Sequence, residues 1–415
     1  MGKRLASMAW RNLWRHRRRT LITLSSIAFG AFIAVIMTGI GDSQWPRMIN
    51  LAARMGGGHV TLQHTEYQDR PALRRSVRNA AGLREIALRD PQVERVVTRV
   101  TGQLMLSTAA QNYGAAFIAF DPAVEDETTL SVLEALAEGE IFPSADTRGI
   151  ILGSRLARNL DARLGRKVVY TLADKHGEIT REAARVTGIL HTGSPSMDAA
   201  LCLLPIDSFR RAVGYGPDEG VQVAVFLGDH RRAANVASRL GDQIGTEVAA
   251  LTWRQVQPDL SAFVAMKIGG MQLMEAFILL LVAAGIFNTL FVSVMERVRE
   301  FGIMMAVGFS PASLFGLVMF ESLWLGLVGL VVGGLITSWP YYYLSTTGLD
   351  VSAMLGDVSS AEIAGVAMPM QMQIGIYPEH LLAIAGVVLL CTLAAGLYPA
   401  WKAGRVVPVE SIRLV

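Results

Sequence analysis

The sequence predicts an α+β membrane protein: four transmembrane helices, with a large mixed α/β domain on the outer side inserted between the first and second. Three observations predict this. Of 415 residues, 52% are hydrophobic and 18% charged, too apolar for an ordinary soluble enzyme and too charged for a chain made wholly of spans. Four apolar runs, at 21–41, 269–294, 312–338 and 381–400, reach the roughly 20 residues that a helix needs to cross about 30 Å of hydrocarbon. Residues 42–268, between the first two runs, are numerous enough to bury a core of their own.

From the N-terminus, residues 1–20 read as an amphipathic helix. Arg4, Arg11, Arg15 and Arg18 share one arc, while Leu5, Ala9 and Leu13 occupy another beside Trp10; this is the pattern of a helix lying in the membrane interface, the alternative being a solvated basic tail. A cleaved signal is disfavoured because the apolar run that follows is long and lacks a small-residue cleavage site. Lys3, Arg4, Arg11, Arg15, Arg17, Arg18 and Arg19 precede the first span. Arg297 and Arg299 lie between the second and third, and Lys402, Arg405 and Arg413 follow the fourth. Four spans put all three clusters on one side, which predicts cytoplasmic termini, a cytoplasmic segment 295–311, a cytoplasmic tail 401–415 and outer segments 42–268 and 339–380. The net charge of +3 gathers at the membrane flank and makes no case for nucleic acid. Cys202 and Cys391 fall in the domain and in the last span, so neither a disulfide nor a metal site is expected.

Within 42–268, strand patterns fall at 59–64, 93–106, 115–120, 149–152, 167–172, 185–190, 201–206, 221–227 and 247–253, and helix patterns at 73–88, 128–137, 154–164 and 229–244. Residues 258–268 are expected to extend the second span as a stalk. Gly326, Gly329 and Gly333 in the third span allow close helix approach, either within one subunit or across a dimer. Glu275 and Glu321 sit in apolar segments, where a charge costs several kcal/mol unless paired or near the interface. Each is a candidate functional residue or an interhelical structural one.

Enzymatic signatures are missing. A P-loop needs Gly-Lys before Ser or Thr, and the only Gly-Lys, Gly2-Lys3, precedes Arg4. Gly308-Phe309-Ser310-Pro311-Ala312 resembles a nucleophile elbow but follows a membrane helix and ends in Ala. His59 and His64 fall on opposite faces of a strand, which suits packing better than a metal. Gly56-Gly57-Gly58 reads as a turn entering that strand.

The most telling window is 283–312. Its membrane-grade run breaks into Glu296, Arg297, Arg299 and Glu300, passes through a short amphipathic stretch and becomes apolar again. An excursion so short cannot fold alone, so its use is as a contact surface between two spans.

These residues resemble the MacB/FtsX-type permeases of ABC transporters, and within them the lipoprotein-releasing LolC/LolE branch. The likeness rests on Met8-Ala9-Trp10-Arg11-Asn12-Leu13-Trp14-Arg15, on Phe287-Asn288-Thr289-Leu290 through Glu296-Arg297-Val298-Arg299-Glu300-Phe301-Gly302-Ile303 and Ala306-Val307-Gly308, and on Tyr398-Pro399-Ala400-Trp401-Lys402-Ala403 through Pro408 to Arg413. Ile151-Leu152-Gly153 and Gly188-Ile189-Leu190-His191-Thr192-Gly193 resemble the lipoprotein-releasing branch. The resemblance implies a bacterial inner-membrane subunit that pairs with a second permease, the same or homologous, and has a periplasmic domain. It implies a cytoplasmic ABC ATPase dimer that binds ATP and Mg, this chain holding no cofactor and no catalytic residue. It implies mechanotransmission to a lipoprotein or other amphipathic substrate, with a periplasmic acceptor or adaptor as a further partner. ATPase coupling falls on Glu296, Arg297, Arg299, Glu300, Gly302, Ile303 and Gly308, the alternative being interfacial anchoring. The segment 341–380 is long for MacB-like exporters. Its Met354, Met368, Met370 and Met372 are candidates for acyl-chain contact or for packing on the main domain. Rival functions are a MacB-like efflux permease and an FtsX-like signalling module that activates a periplasmic enzyme.

Overall fold

The computed structural model describes residues 2–15, 17–109, 111–350, 360–363, 366–369 and 371–405. In chain order, α1 (Gly2–Arg15) and α2 (Arg17–Met55) lead to β1 (Val60–His64), α3 (Ala80–Leu88), β2 (Val93–Ser107) and β3 (Asn112–Phe120). Next come β4 (Leu136–Gly139), β5 (Gly149–Gly153), α4 (Ser154–Asn159), β6 (Lys167–Ala173), β7 (Ile179–Leu190), α5 (Pro195–Ala200) and β8 (Leu201–Pro205). These are followed by α6 (Ile206–Ala212), β9 (Gln222–Leu227), α7 (Ala233–Gly241), β10 (Val248–Thr252) and α8 (Trp253–Val256). The chain closes with α9 (Pro258–Glu296), α10 (Val298–Ala306), α11 (Pro311–Thr346), β11 (Leu349–Asp350), β12 (Ser360–Ile363), β13 (Val366–Pro369), β14 (Gln371–Met372) and α12 (Pro378–Gly404). It divides into two units. One comprises Met1–Gln44, Ala265–Leu349 and Gln371–Val415, the other Trp45–Val264 and Asp350–Met370.

The first unit is helical. Among the described residues, four helices, α2, α9, α11 and α12, are long and apolar enough to cross a membrane. Each contains one of the expected runs, but α2 continues to Met55 and α11 to Thr346, because a helix need not end where its hydropathy does. α11 packs tightly through its glycines. A Cβ on Gly329 would stand 2.5 Å from Ile27 of α2, one on Gly333 3.1 Å from the Ala28 backbone, and one on Gly326 2.8 Å from Leu389 of α12. All three stand close to neighbouring helices of the same chain. Gly329→Val is expected to force α11 off α2 and to lower the yield of monodisperse protein, whereas Gly334→Val, with open space around it, should not.

In the second unit, β2 organises the sheet. Its first half pairs antiparallel with β9 and its second half with β3 and β6. From β3 the pairing continues through β8, β5 and β7 to β6, which returns to β2. Six strands thus close into a barrel without free edges. Alternation turns Val100, Leu104, Phe117, Leu152, Val168 and Leu204 into its core, where α6 contributes Phe209, its ring 4.6 Å from that of Phe117. A second cluster, including Phe120, Leu133, Phe142, Ile151 and Leu203, covers other faces of these strands. Beyond β9, β1 and β10 extend the sheet.

The expected strands are present, β7 being longer than 185–190. Several expected helices are corrected. Only Ala80–Leu88 of 73–88 is helical, since Val77 bridges Gly220 and the Asn79 side chain caps the helix by accepting from the Gly82 N–H. Of 128–137, Ser131–Ala135 is a single 3-10 turn, and Leu136 begins β4 by pairing with Leu190. Helix 154–164 ends at Asn159 before Asp161, whose φ is +48°. Segment 229–244 divides into a short turn at His230–Arg232 and the helix α7.

The entry into β1 is sterically exact. Gly58 has φ +81°, and a Cβ there would lie 2.6 Å from the Val225 carbonyl oxygen. Gly58→Ala should therefore destabilise the unit by more than the roughly 1–2 kcal/mol of left-handed strain alone, read as a lowered unfolding midpoint.

His59 follows, 4% exposed. Its Nδ1 accepts the Leu227 N–H at 3.0 Å, so the proton resides on Nε2, which donates to Asn50 Oδ1 at 2.9 Å. Burial, then the nearby His230, push its pKa down from 6.5 to about 4. A histidine held neutral stabilises fully above its unfolded value, and that contribution is lost as pH falls through the folded one. The unit should lose roughly 3 kcal/mol between pH 6.5 and pH 4 from this group; His59→Gln should flatten that part of the stability profile.

Candidate functional site

Two tight joints define the segment between α9 and α11. At the first, Arg297 leaves helical geometry (φ −105°, ψ 10°), and its carbonyl accepts the Phe301 N–H that starts α10. At the second, Gly308 (φ +104°) ends α10: its N–H reaches the Met305 carbonyl while Phe309 N–H reaches that of Met304, both at 3.0 Å. This is the Schellman arrangement that favours glycine. The Ser310 hydroxyl then accepts the Ser313 N–H at 3.2 Å and Pro311 opens α11. The residues resembling a nucleophile elbow are thus a helix stop followed directly by a helix start.

α10 has an inner and an outer side. Phe301 and Gly302 are buried, and Phe301 packs in a cluster with Leu5 and Ala9 of α1, Val294, Leu314, Leu317 and Ala400. Facing outward are Arg299, Ile303 (50% exposed), Val307 (77% exposed) and Gly308. The seven coupling candidates therefore divide: Arg299, Ile303, Gly308 and Glu296 are accessible, Glu300 is half-buried, and Arg297 and Gly302 face inward.

Arg297 meets Glu321, and both are almost wholly buried. Its Nη1 donates to Glu321 Oε1 at 2.9 Å and its Nε to Glu300 Oε2 at 3.0 Å, and its guanidinium lies 5.1 Å from the Phe301 ring centre. Asn12 Nδ2 of α1 donates to the same Glu321 oxygen at 2.9 Å. Arg19 pairs with Glu296 at 2.9 Å and Arg15 approaches Glu300 at 3.6 Å. Trp324 Nε1 donates to the Ala6 carbonyl, and its ring stacks edge-on to Trp10. Glu321 is thus an interhelical anchor. Glu275 is half-buried and lines an apolar crevice with Ile27, Met37, Val282 and Val388.

Met354 and Met370 lie outside the described residues. Met368 falls in β13, and Met372 is half-buried in β14.

Three polar centres escaped sequence reasoning. Arg99 and Glu125 form a fully buried pair inside the α/β unit. The signal was a charge inside the apolar run Val96-Val97-Thr98-Arg99-Val100. Asp42 near the end of the first apolar run holds His380 Nδ1 at 2.7 Å and the Tyr377 N–H at 3.1 Å. Ser154, His191 and Asp198 converge where β5 turns into α4, but not as a catalytic triad. The Ser154 hydroxyl donates to Asp198 at 3.0 Å, and His191 turns the same nitrogen, Nδ1, toward both partners. General-base catalysis needs histidine between serine and carboxylate through different nitrogens. Among the described residues, no group of three or more His, Cys, Asp or Glu is arranged to hold a metal ion.

Two family models match the chain. Residues 20–243 match the family model of the MacB-like periplasmic core domain, and residues 273–408 that of the FtsX-like permease C-terminal region. The lipoprotein-releasing system transmembrane protein LolC of Xylella fastidiosa (strain 9a5c) is 22% identical over 413 residues, covering 95% of this chain and 93% of LolC. The macrolide export ATP-binding/permease protein MacB of Nitrosomonas europaea is 25% identical over 393 residues, covering 86% of this chain and 55% of MacB. The crystal structure of the periplasmic region of MacB from Actinobacillus actinomycetemcomitans aligns with a TM-score of 0.34 at 13% identity, over 48% of this chain and 90% of that one.

Proposed function

The chain belongs to the MacB/FtsX-type permeases of ABC transporters, and we propose that it works as a passive lever. A separate cytoplasmic ATPase dimer, which binds ATP and Mg, presses on α10, and the displacement passes through α9 and α11 to a periplasmic α/β domain inserted between the first and second spans. Both termini lie in the cytoplasm, and a second permease subunit completes the membrane half. The observation that carries this reading is α10 itself: a short helix fixed between two slack-free joints, with Ile303 and Val307 exposed on the outer side. A lipoprotein is the leading candidate cargo, given the similarity to LolC.

The test uses the chain with its ATPase in proteoliposomes loaded with a lipidated protein. Nucleotide-dependent release into solution, reduced by joint Arg299→Gln and Glu300→Gln changes, is expected. Hydrolysis and release indifferent to both changes would remove the coupling assignment. Hydrolysis without release of any cargo would favour an FtsX-like signalling role, and a requirement for an added adaptor a MacB-like one.

A further inference from the structure

We propose that α1 is a second arm of the coupling element, tied to the α9–α10 joint through Glu321, so that α1 and this joint move as one body during the ATPase cycle. The inference rests on the docking reading of α10. Its basis is a pattern of charges that composition alone does not require. Three acids of the joint and of α11, Glu296, Glu300 and Glu321, face three bases, Arg19, Arg15 and Arg297. Only one of these contacts is deeply buried, and it is the one that also holds Asn12 of α1. Glu321 Oε1 accepts from both Arg297 and Asn12 and is the shared acceptor between an arginine just beyond α9 and an amide on α1.

The apolar contacts run the same way. Leu5 and Ala9 of α1 pack in the cluster that holds Phe301 of α10 and Leu314 and Leu317 of α11. Trp324, one turn beyond Glu321, adds its bond to the Ala6 carbonyl. A helix merely afloat in the interface would turn only its apolar face to the membrane and keep its polar groups solvated. Here Asn12 turns inward to a buried charge, so displacement of Arg297 draws on α1 as well as on α11. Glu321 is a positioning residue in this scheme: it touches neither cargo nor ATPase and acts by fixing Arg297 and Asn12 together.

The experiment measures the distance between spin labels at Arg11→Cys and Met295→Cys, both exposed positions, with Cys202 and Cys391 replaced by Ala. The chain is studied in lipid nanodiscs with its ATPase, nucleotide-free and trapped with ATP and vanadate. One narrow distribution, the same in both states, is expected. Glu321→Ala should broaden it and reduce ATP hydrolysis by the complex at least about fivefold, the low end of couplings between distant sites. Glu321→Gln, whose Oε1 still accepts from Arg297 and Asn12, should keep it narrow, whereas Glu321→Met, of similar size but without an acceptor, should broaden it. If Glu321→Ala proves misfolded, Asn12→Leu with Arg15→Gln removes the polar ties of α1 to Glu321 and Glu300 while leaving the buried pair intact, and should broaden the distribution in a monodisperse protein. A native distance that shifts with nucleotide overturns the proposal, as does a distribution indifferent to Glu321→Ala or to the Asn12 and Arg15 changes. Co-purification of the ATPase is scored separately: its absence from the native chain rejects the docking reading, while broadening in the nucleotide-free chain alone still decides whether α1 is tied to the joint.

Discussion

Arg99→Ala is expected to destabilise the α/β unit by roughly 3–5 kcal/mol, the effect of stranding a buried partner charge and a large share of a domain's whole stability. The Arg99 side chain is 0% exposed and that of Glu125 1%. Each guanidinium nitrogen is engaged: Nε with Glu125, Nη2 with Glu125 and the Thr129 carbonyl, and Nη1 with the carbonyls of Arg54 and Gly56. The Arg54 and Gly56 carbonyls lie at the C-terminal end of α2, where a helix leaves carbonyls unpaired and a cation is favoured. Arg99 therefore ends α2, pairs with Glu125 and holds the loop at Thr129 in one stroke. Its truncation strands a carboxylate and three carbonyls. Arg99→Met combined with Glu125→Leu removes both charges together and should recover most of the loss, since apolar replacement of a whole buried pair is often neutral. What it leaves behind is the unpaired end of α2. Thermal unfolding of the full chain in detergent, followed by near-ultraviolet circular dichroism, reads the difference. An Arg99→Ala protein within about 1 kcal/mol of the native one would show that water reaches this site and that the pair carries little stability.

The α/β unit was legible as strands because its sheet obeys alternation: Leu104, Leu106, Val168, Tyr170 and Leu172 turn inward while Met105 and Val169 remain exposed. Its helices were less legible for two reasons. α5 and α6 have 6 and 7 residues, too few to display a 3.6-residue period. In 128–137 the apolar residues Leu130, Val132 and Leu133 served a core cluster with only a 3-10 turn, not an α-helix, around them. The long apolar helices announced themselves by hydropathy, but their ends did not, because α2 continues to Met55 through polar residues that only its tertiary surroundings fix. At the candidate site, residue order shows the break between two apolar runs and a glycine, Gly308, that the structure places at φ +104°. The division of α10 into inner and outer sides is not visible in it. Arg297 and Arg299 look alike in a sequence, yet one points at Glu321, 24 positions along the chain, and the other at solvent. Only the fold brings Glu321 to that place.

That division sets the second large expectation. Ile303→Asp together with Val307→Asp should weaken binding of the ATPase on the order of a hundredfold, the equivalent of roughly 3 kcal/mol. The two residues stand four apart and so share one helix face. They are among the exposed large apolar residues of the chain. If a partner covers them, two carboxylates placed there must be desolvated without counter-charges, which is expensive, whereas Arg299→Gln changes one solvated charge at the margin and should reduce affinity less than about tenfold. The stability of the permease itself should stay within about 0.5 kcal/mol, because the altered side chains are exposed in it. Binding of purified ATPase to nanodisc-held chain, measured by interferometry, separates these cases. The ranking is the sharp part of the expectation. An arrangement in which the charges held the partner and the apolar pair faced lipid would invert it, with Arg299→Gln the severe change and the double aspartate mild. α10 would then anchor the chain at the membrane surface, and the ATPase would have to seat on another cytoplasmic surface.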